Sequence, residues 1–330
     1  MRFALSEEQQ GLADVLDDLL SAADTPSIVR GWADCDHAPG LKLWQRLAEL
    51  GLTGLLVPEE QGGLDADAVD LVVAFEARGR HAVPGPWVES AALLPVLLRD
   101  TTEDELLGGL VSGETLATAA VTDLGGYALD ADVTGAIYVL DGTALHRGTA
   151  GHLRRSVDPA RRLFPLDRGD EVLRLEEART ADAVDTATLA CSAQLLGAGE
   201  HLLRESVEYA KARRQFGRAI GEYQALKHAL ADVRVALDFA RPLLHVAALA
   251  LRDGAGDPGR DVSAAKVATG RAAYAAARTA LQVHGAIGYT AEHDLGLWIT
   301  KVRALLTAWG TPAQHRARVL ASISREPVGA

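Results

Sequence analysis

Four side chains stand out as able to do chemistry, and their spacing limits what that chemistry is. His284 and His293 have the right type for general bases, but neither has an Asp or Ser at triad-like spacing, so they read as packed or surface imidazoles. Cys35 and Cys191 are the only cysteines, with no Cys-x-x-Cys or Cys/His spacing, which argues against a structural zinc site and against a disulfide framework. No metal ligand set is expected. Gly285 and Gly288 form a Gly-x-x-Gly that would let backbone come close to a phosphate or ribose, a weak signal by itself. The run AEHD over 291–294 reads as a helix start whose acidic residues suit the helix dipole.

The elements that must position these residues are mostly helices. Ser6 and Gln9 resemble a capping box, followed by Leu12, Val15, Leu16, Leu19 and Leu20 on one helical face. A second helix begins near Leu41 and carries Leu43, Trp44, Leu47 and Leu50 before Gly51. Further helices are predicted over 65–80 and 90–98, so residues 1–115 read as an N-terminal helical domain. From Thr115 the runs LATAAVT, GAIYVLDG and VLRL, separated by Gly and Asp, have strand texture. They predict a small β domain of five or six strands over 116–181.

After residue 182 the helical period returns, giving a C-terminal helical bundle over 182–330. In the segment 223–251, Leu226, Leu230, Val233, Leu237, Ala240 and Leu244 alternate steps of four and three, a bundle seam, and Pro242 is expected to kink or loosen that helix. The Ala-rich segment 263–283 predicts a helix closely approached by others, as in a tetramer core, and this helix and its neighbours are expected to expose a wide apolar face in a monomer. Thr311 and Pro312 form an N-cap and first-turn pair for a last helix.

Composition narrows the function classes. The 330 residues are 48% apolar and 24% charged, ordinary for a globular protein and not for a disordered one. The net charge of −12, with basic residues spread along the chain, argues against a nucleic-acid partner. No apolar run approaches the roughly 18 to 20 residues needed to span a bilayer, and no repeat is visible. A soluble protein of the reducing cytoplasm is expected.

Three long motifs in order carry a resemblance: LGLTGLLVPEEQGG over 50–63, YAKARRQFGRAIGEYQALKHALADV over 209–233, and LQVHGAIGYTAEHDLGLWITKVRALL over 281–306. Together they closely resemble the acyl-CoA dehydrogenase family of flavoproteins. The resemblance implies a mostly α fold with a shortened, β-barrel-like middle domain and a C-terminal four-helix bundle. It implies FAD as cofactor and α,β-dehydrogenation of an acyl-CoA substrate, a Glu removing the α-proton while a β-hydride passes to the flavin. An electron-transfer flavoprotein or similar acceptor is the implied outlet. Because family members grip the ADP half of a neighbour's flavin with this domain, the resemblance implies a cofactor role for Arg213, Gln215, Phe216, Tyr223, Gln224, Gln282, His284, Gly285, Ala286 and Thr311. Arg213 suits this chemistry, since a guanidinium forks onto pyrophosphate oxygens; Tyr223 and Gln224 are equally readable as helix caps. Ala286 stands where the family usually has a second Gly.

The pattern breaks at the chemistry. The usual catalytic Glu precedes a Gly-Thr pair, and here Trp309 precedes Gly310 and Thr311. The family's alternative Glu position falls on Ala187, and Asp185, two residues away, is rotated by roughly 200° on a helix. The middle domain offers AAVTDLGG over 119–126 in place of a Thr-Glu-Pro-Gly strand, and no Trp lies between Trp87 and Trp298. These losses with a retained outer grip resemble the shorter subunit of actinobacterial heteromeric α2β2 acyl-CoA dehydrogenases, which implies a longer catalytic partner and a bulky thioester such as a steroid side-chain acyl-CoA. The alternatives are a self-sufficient homo-oligomer using another base or other CoA-thioester chemistry, and a flavin-free acyl-CoA-binding scaffold.

Overall fold

The Ser6 capping box forms as its spacing predicts: Ser6 Oγ accepts from Gln9 N, and Gln9 Oε1 from Ser6 N, both at 3.1 Å, starting α1 (Glu7–Ser21). The computed structural model describes residues 4–290 and 293–324. α2 (Thr25–Ala33), α3 (Ala38–Glu49) and α4 (Ala68–Arg80) follow. α3 ends at Gly51, whose φ of +82° is the left-handed position expected after a helix. Asp67 caps α4, its Oδ1 accepting from Val69 N at 2.6 Å. The predicted 90–98 helix is instead a π turn, Glu89–Leu93, running into α5 (Leu94–Leu98), and α6 (Asp104–Val111) follows. Pro95 has no N–H to return to Ala91, so the backbone widens there rather than continuing as a regular α turn.

Six strands form the middle sheet: β1 (Ala117–Val121), β2 (Tyr127–Leu129), β3 (Ala136–Asp141), β4 (Ala144–Ala150), β5 (Arg154–Arg155) and β6 (Arg162–Arg174). Their order is β1-β3-β4-β6-β2, with β5 on β6; β1 and β3 are parallel, pairing Ala119 with Tyr138. Thr118 Oγ1 accepts from Leu129 N at 3.2 Å, tying the two ends of that order together so that the sheet nearly closes on itself. The small side chains of β1 (Ala117, Ala119 and Ala120) are buried and let the helical layer sit close.

The C-terminal helices are α7 (Glu177–Ala212), α8 (Gln224–Asp253), α9 (Pro258–His284), α10 (Leu295–Leu305) and α11 (Pro312–Ile323), with a hairpin of β7 (Arg214–Gln215) and β8 (Arg218–Ala219) between α7 and α8. Ala291 and Glu292 of the AEHD run lie outside the described residues. α8 runs through Pro242 as one helix. Pro242 is on the exposed side, where water can solvate the Asp238 carbonyl it leaves unbonded, while Leu237, Ala240 and Leu244 hold both halves in the core.

The Ala-rich stretch packs as its small side chains predict. Ala265, Ala272, Ala273, Ala276, Ala277 and Ala280 are buried inside the chain, because small side chains let α9 nest on α7 and α8. An apolar face is exposed where α9 meets its neighbours: Ala264, Val267 and Ala268 line it together with Phe239 of α8 and Leu320 of α11, which are 75% and 65% exposed. Close backbone approach recurs where the N-terminal and C-terminal helices meet: a Cβ on Gly197 would stand 2.0 Å from Glu76 O, so only Gly fits there. Beside that contact Glu76 binds both Arg80 Nη1 (2.9 Å) and Arg241 Nη1 (2.8 Å), and Trp298 Nε1 donates to Arg80 O at 3.0 Å. Glu76 is buried, so its two cations are what make its charge tolerable.

Candidate functional site

The loop after α10 is anchored at successive carbonyls. Lys266 Nζ, buried on α9, donates to Leu305 O at 2.9 Å and Leu306 O at 3.4 Å, supplying donors that the end of a helix lacks. Cys191 Sγ lies 3.7 Å from Leu305 O and 3.8 Å from Ala308 O. His315 on α11 reaches Trp309 O through Nε2 at 2.9 Å and Ser263 Oγ through Nδ1 at 3.1 Å. With Nε2 donating to the carbonyl, Nδ1 accepts from the Ser263 hydroxyl, and burial pushes this imidazole down to about 4, so it is neutral. Trp309 holds φ +58° and Gly310 φ +101°, conformations a non-glycine residue keeps only where its surroundings over-determine them.

Trp309, 8% exposed, forms one wall of a cleft of about 580 Å³ between this loop, β2 and the segment before β6. Glu89, Tyr127, Arg161 and Arg303 also border it. No carboxylate stands at the Trp309 position, and the second position predicted for one, Ala187, is a buried methyl. Asp185 is turned away from that position and held by Arg318, whose Nη2 lies 2.8 Å from Oδ2. Indole has no basic lone pair, so the loop presents a shape and no proton acceptor.

Sequence reasoning missed Glu89. Burial raises its carboxyl to about 7, against the pull of Arg161 and Arg78. The available signal was a single carboxylate at the head of the apolar run WVESAALLPVLL over 87–98. Such a residue is expensive unless something binds it.

The outer site is built differently. Arg213, Gln215 and Phe216 lie on the exposed β7–β8 hairpin, where Phe216 is 91% exposed. Tyr223, the residue before α8, donates its hydroxyl to Gln215 O at 3.4 Å and carries the Arg218 guanidinium 4.0 Å over its ring; its side chain braces the hairpin and caps nothing. Gln224 starts α8 and is exposed. Tyr209, four residues before Arg213, stacks on His284 at 4.2 Å, which fixes the hairpin base against the end of α9. His284 is buried, with Nδ1 2.8 Å from Ala280 O, and His293 meets it edge-on at 5.1 Å.

Beyond His284, Gln282, Gly285 and Ala286 are exposed, and Gln282 and Gly285 border a second cavity of about 590 Å³. Gly285 has φ +61°, and nothing lies within 4 Å of where a Cβ would be, so the backbone is open to a ligand. Thr311 belongs to the Trp309 loop, where its Oγ1 caps α11 by accepting from Gln314 N at 3.2 Å.

Residues 6–114 match the acyl-CoA dehydrogenase N-terminal domain family and residues 180–324 the acyl-CoA dehydrogenase C-terminal domain family. Acyl-CoA dehydrogenase IpdE2 of Mycobacterium tuberculosis is 30% identical over 325 residues, covering 97% of this chain and 99% of that protein. Among solved structures, the ChsE4-ChsE5 complex from Mycobacterium tuberculosis superposes with a TM-score of 0.85 at 22% identity, covering 99% of this chain and 100% of that one. A steroid acyl-CoA dehydrogenase variant gives 0.86 at 22%, covering 98% and 99%. Among the described residues, no helix is long and apolar enough to cross a membrane. The chain belongs to the acyl-CoA dehydrogenase family, oxidoreductases acting on a CH–CH bond.

Proposed function

We propose that this chain is the non-catalytic subunit of a heteromeric FAD-dependent acyl-CoA dehydrogenase, and that it completes the flavin site of a longer catalytic partner in an α2β2 assembly. The observation that carries this reading is Trp309, an indole fixed by its backbone anchors where the general base is expected, with no carboxylate at Ala187 to replace it. Losing a general base typically removes a factor of roughly 10² to 10⁴ in rate. The residues present fit the ADP half of FAD: an open Gly285 backbone, the cavity beside Gln282, and Arg213 with Phe216 on the exposed hairpin. Arg213 would fork onto pyrophosphate oxygens, Phe216 would cover apolar ligand surface, and Tyr223 and Gln224 would hold the hairpin in register. Bound FAD supplies hydride acceptance. The proposed substrate is a bulky CoA thioester such as a steroid side-chain acyl-CoA, with an electron-transfer flavoprotein or similar protein as acceptor.

Co-expression with a longer acyl-CoA dehydrogenase subunit and a flavin count on the mass-determined assembly test the reading. Two FAD per α2β2 are expected, with turnover depending on the partner's base. Four tightly bound flavins in an assembly of this chain alone would overturn it in favour of a self-sufficient enzyme.

A further inference from the structure

The cleft beside Trp309 has walls of one kind and a floor of another. Val121, Leu124, Leu129, Leu163 and Leu306 make the walls apolar. At its inner end Glu89 is 4% exposed, and its Oε2 has no hydrogen-bond partner among the described residues. Arg78 of α4, buried with its guanidinium carbon 4.5 Å from the Trp87 ring, leaves Nε and Nη1 without partners as well. Arg161 also borders the cleft, and its charge acts on Glu89 more strongly than that of Arg78. Asp130, beyond β2, and Cys191, on α7, complete the titratable groups that feel Glu89.

An orphaned buried carboxyl is costly, and the cost depends on what enters the cleft. A hydrocarbon tail would leave Oε2 unbonded and displace whatever water reaches it. A ligand oxygen would satisfy it. A hydroxyl can donate to the ionised carboxylate, whereas a keto oxygen can accept from the protonated acid; both forms are present near neutrality because burial holds Glu89 at about 7. A ligand carboxylate is a poorer match, since it can bond only the protonated form and repels the other.

We propose that this cleft selects CoA thioesters whose acyl skeleton carries a neutral oxygen substituent, a hydroxyl or a keto group, with Glu89 as the residue that reads that oxygen and Arg161 as its flanking charge. The inference rests on the acyl-thioester reading above and adds the class of thioester that this chain's own cleft holds, apart from the partner's reacting site. Glu89 acts here in recognition, and no bond is made or broken by it.

The test is calorimetric titration of the purified full-length chain in its native assembly, with FAD per assembly measured in every sample. The probes are 3-cyclohexylpropanoyl-CoA and its 4-hydroxy, 4-oxo and 4-carboxy analogues. The hydroxy and oxo forms are expected to bind the parent about tenfold or more tighter than the plain form, the scale of one buried polar group regaining its partner. Glu89→Leu should abolish that preference, and the parent-minus-variant difference cancels any binding at a partner's cleft. A second measurement stands even if the Leu variant does not fold: parent binding of the oxo form should weaken as pH rises through about 7, and the isosteric Glu89→Gln should remove that dependence. Equal affinity of the plain and oxygenated forms, tightest binding of the carboxylate, or a pH dependence that survives Glu89→Gln would each overturn the inference. A flavin count other than two per α2β2 would strike the subunit reading instead, and is read separately.

Discussion

The Trp309 loop and the β7–β8 hairpin carry the residues on which the proposed function turns, and they are built in opposite ways. The loop is tied at the carbonyls of Leu305, Leu306, Ala308 and Trp309 by buried side chains from α7, α9 and α11. The hairpin carries Phe216 out into solvent on a left-handed φ of +51°, and the neighbouring Gly285 backbone is equally uncovered. An anchored loop keeps its shape when the residue at its tip changes, because backbone bonds and not the tip residue define it. Under the proposed reading, that is how a base is exchanged for indole without loss of fold. An exposed aromatic has no such internal support and gains a role only from what docks on it. Under the proposed reading, the interior has given up chemistry while the exterior keeps its grip on a neighbour's cofactor.

The largest effect expected from testing this contrast is on stability, and it arises inside. Burial holds Glu89 above the ordinary 4.5, at about 7, so its contribution to stability is full below pH 4.5 and is lost as pH rises through about 7. That difference corresponds to about 3 kcal/mol. His315 slopes the other way: held neutral at about 4, it contributes fully above its ordinary 6.5 and is lost as pH falls through about 4. Urea melts of parent and Glu89→Gln at fixed protein concentration should therefore diverge at pH 8, the variant being more stable, and converge only as pH falls below 4.5, with the His315 acid limb common to both. A gap that ignores pH would mean that Glu89 is better solvated than its burial implies.

On the exterior the expected change is in ligand retention and not in stability. Arg213→Ala removes one charge-assisted contact from an exposed hairpin, so the melting curve should stay put while FAD affinity in the assembled complex falls by about 2 kcal/mol, roughly thirtyfold. Flavin absorbance per protein and the FAD dissociation rate measure this. Unchanged occupancy and rate would remove Arg213 from the cofactor site and leave the hairpin without a proposed role.

What could be read in the sequence follows the same inside-outside division. The capping box at Ser6, the stop at Gly51, the Thr311 cap and the α8 seam depend on neighbours a few residues apart, so their spacing displays them. α2 and α6, nine and eight residues long, are too short for an apolar period to accumulate. The π turn at Glu89 and the burial of the α9 alanines depend on which surface packs against them, and that is a tertiary fact. The motif residues proposed for the outer site, and a Trp before Gly310 and Thr311, are legible in the sequence. The charged end of the cleft is not, because Glu89 and Arg161 are far apart in the chain and meet only when the π turn and the segment before β6 converge.

The smallest expected effect belongs to the substitution that looks most restorative. Trp309→Glu puts a carboxylate on an anchored loop with a left-handed φ, at the position where the proposed reading places the family's base. A base accelerates a proton transfer only when substrate and acceptor are already held in near-attack geometry. In this chain the stretch over 119–126 carries β1 into a short turn, Thr122–Leu124, and two left-handed glycines, Gly125 and Gly126, and supplies neither the Thr-Glu-Pro-Gly strand nor the Trp that the resemblance associates with a flavin ring. No appreciable dehydrogenase activity is therefore expected from the isolated variant, measured as reduction of an artificial electron acceptor with acyl-CoA and added FAD. Robust reduction would show that the middle sheet still cradles a flavin, that the interior lost only its base, and that the contrast between a silent interior and a working exterior is one residue deep.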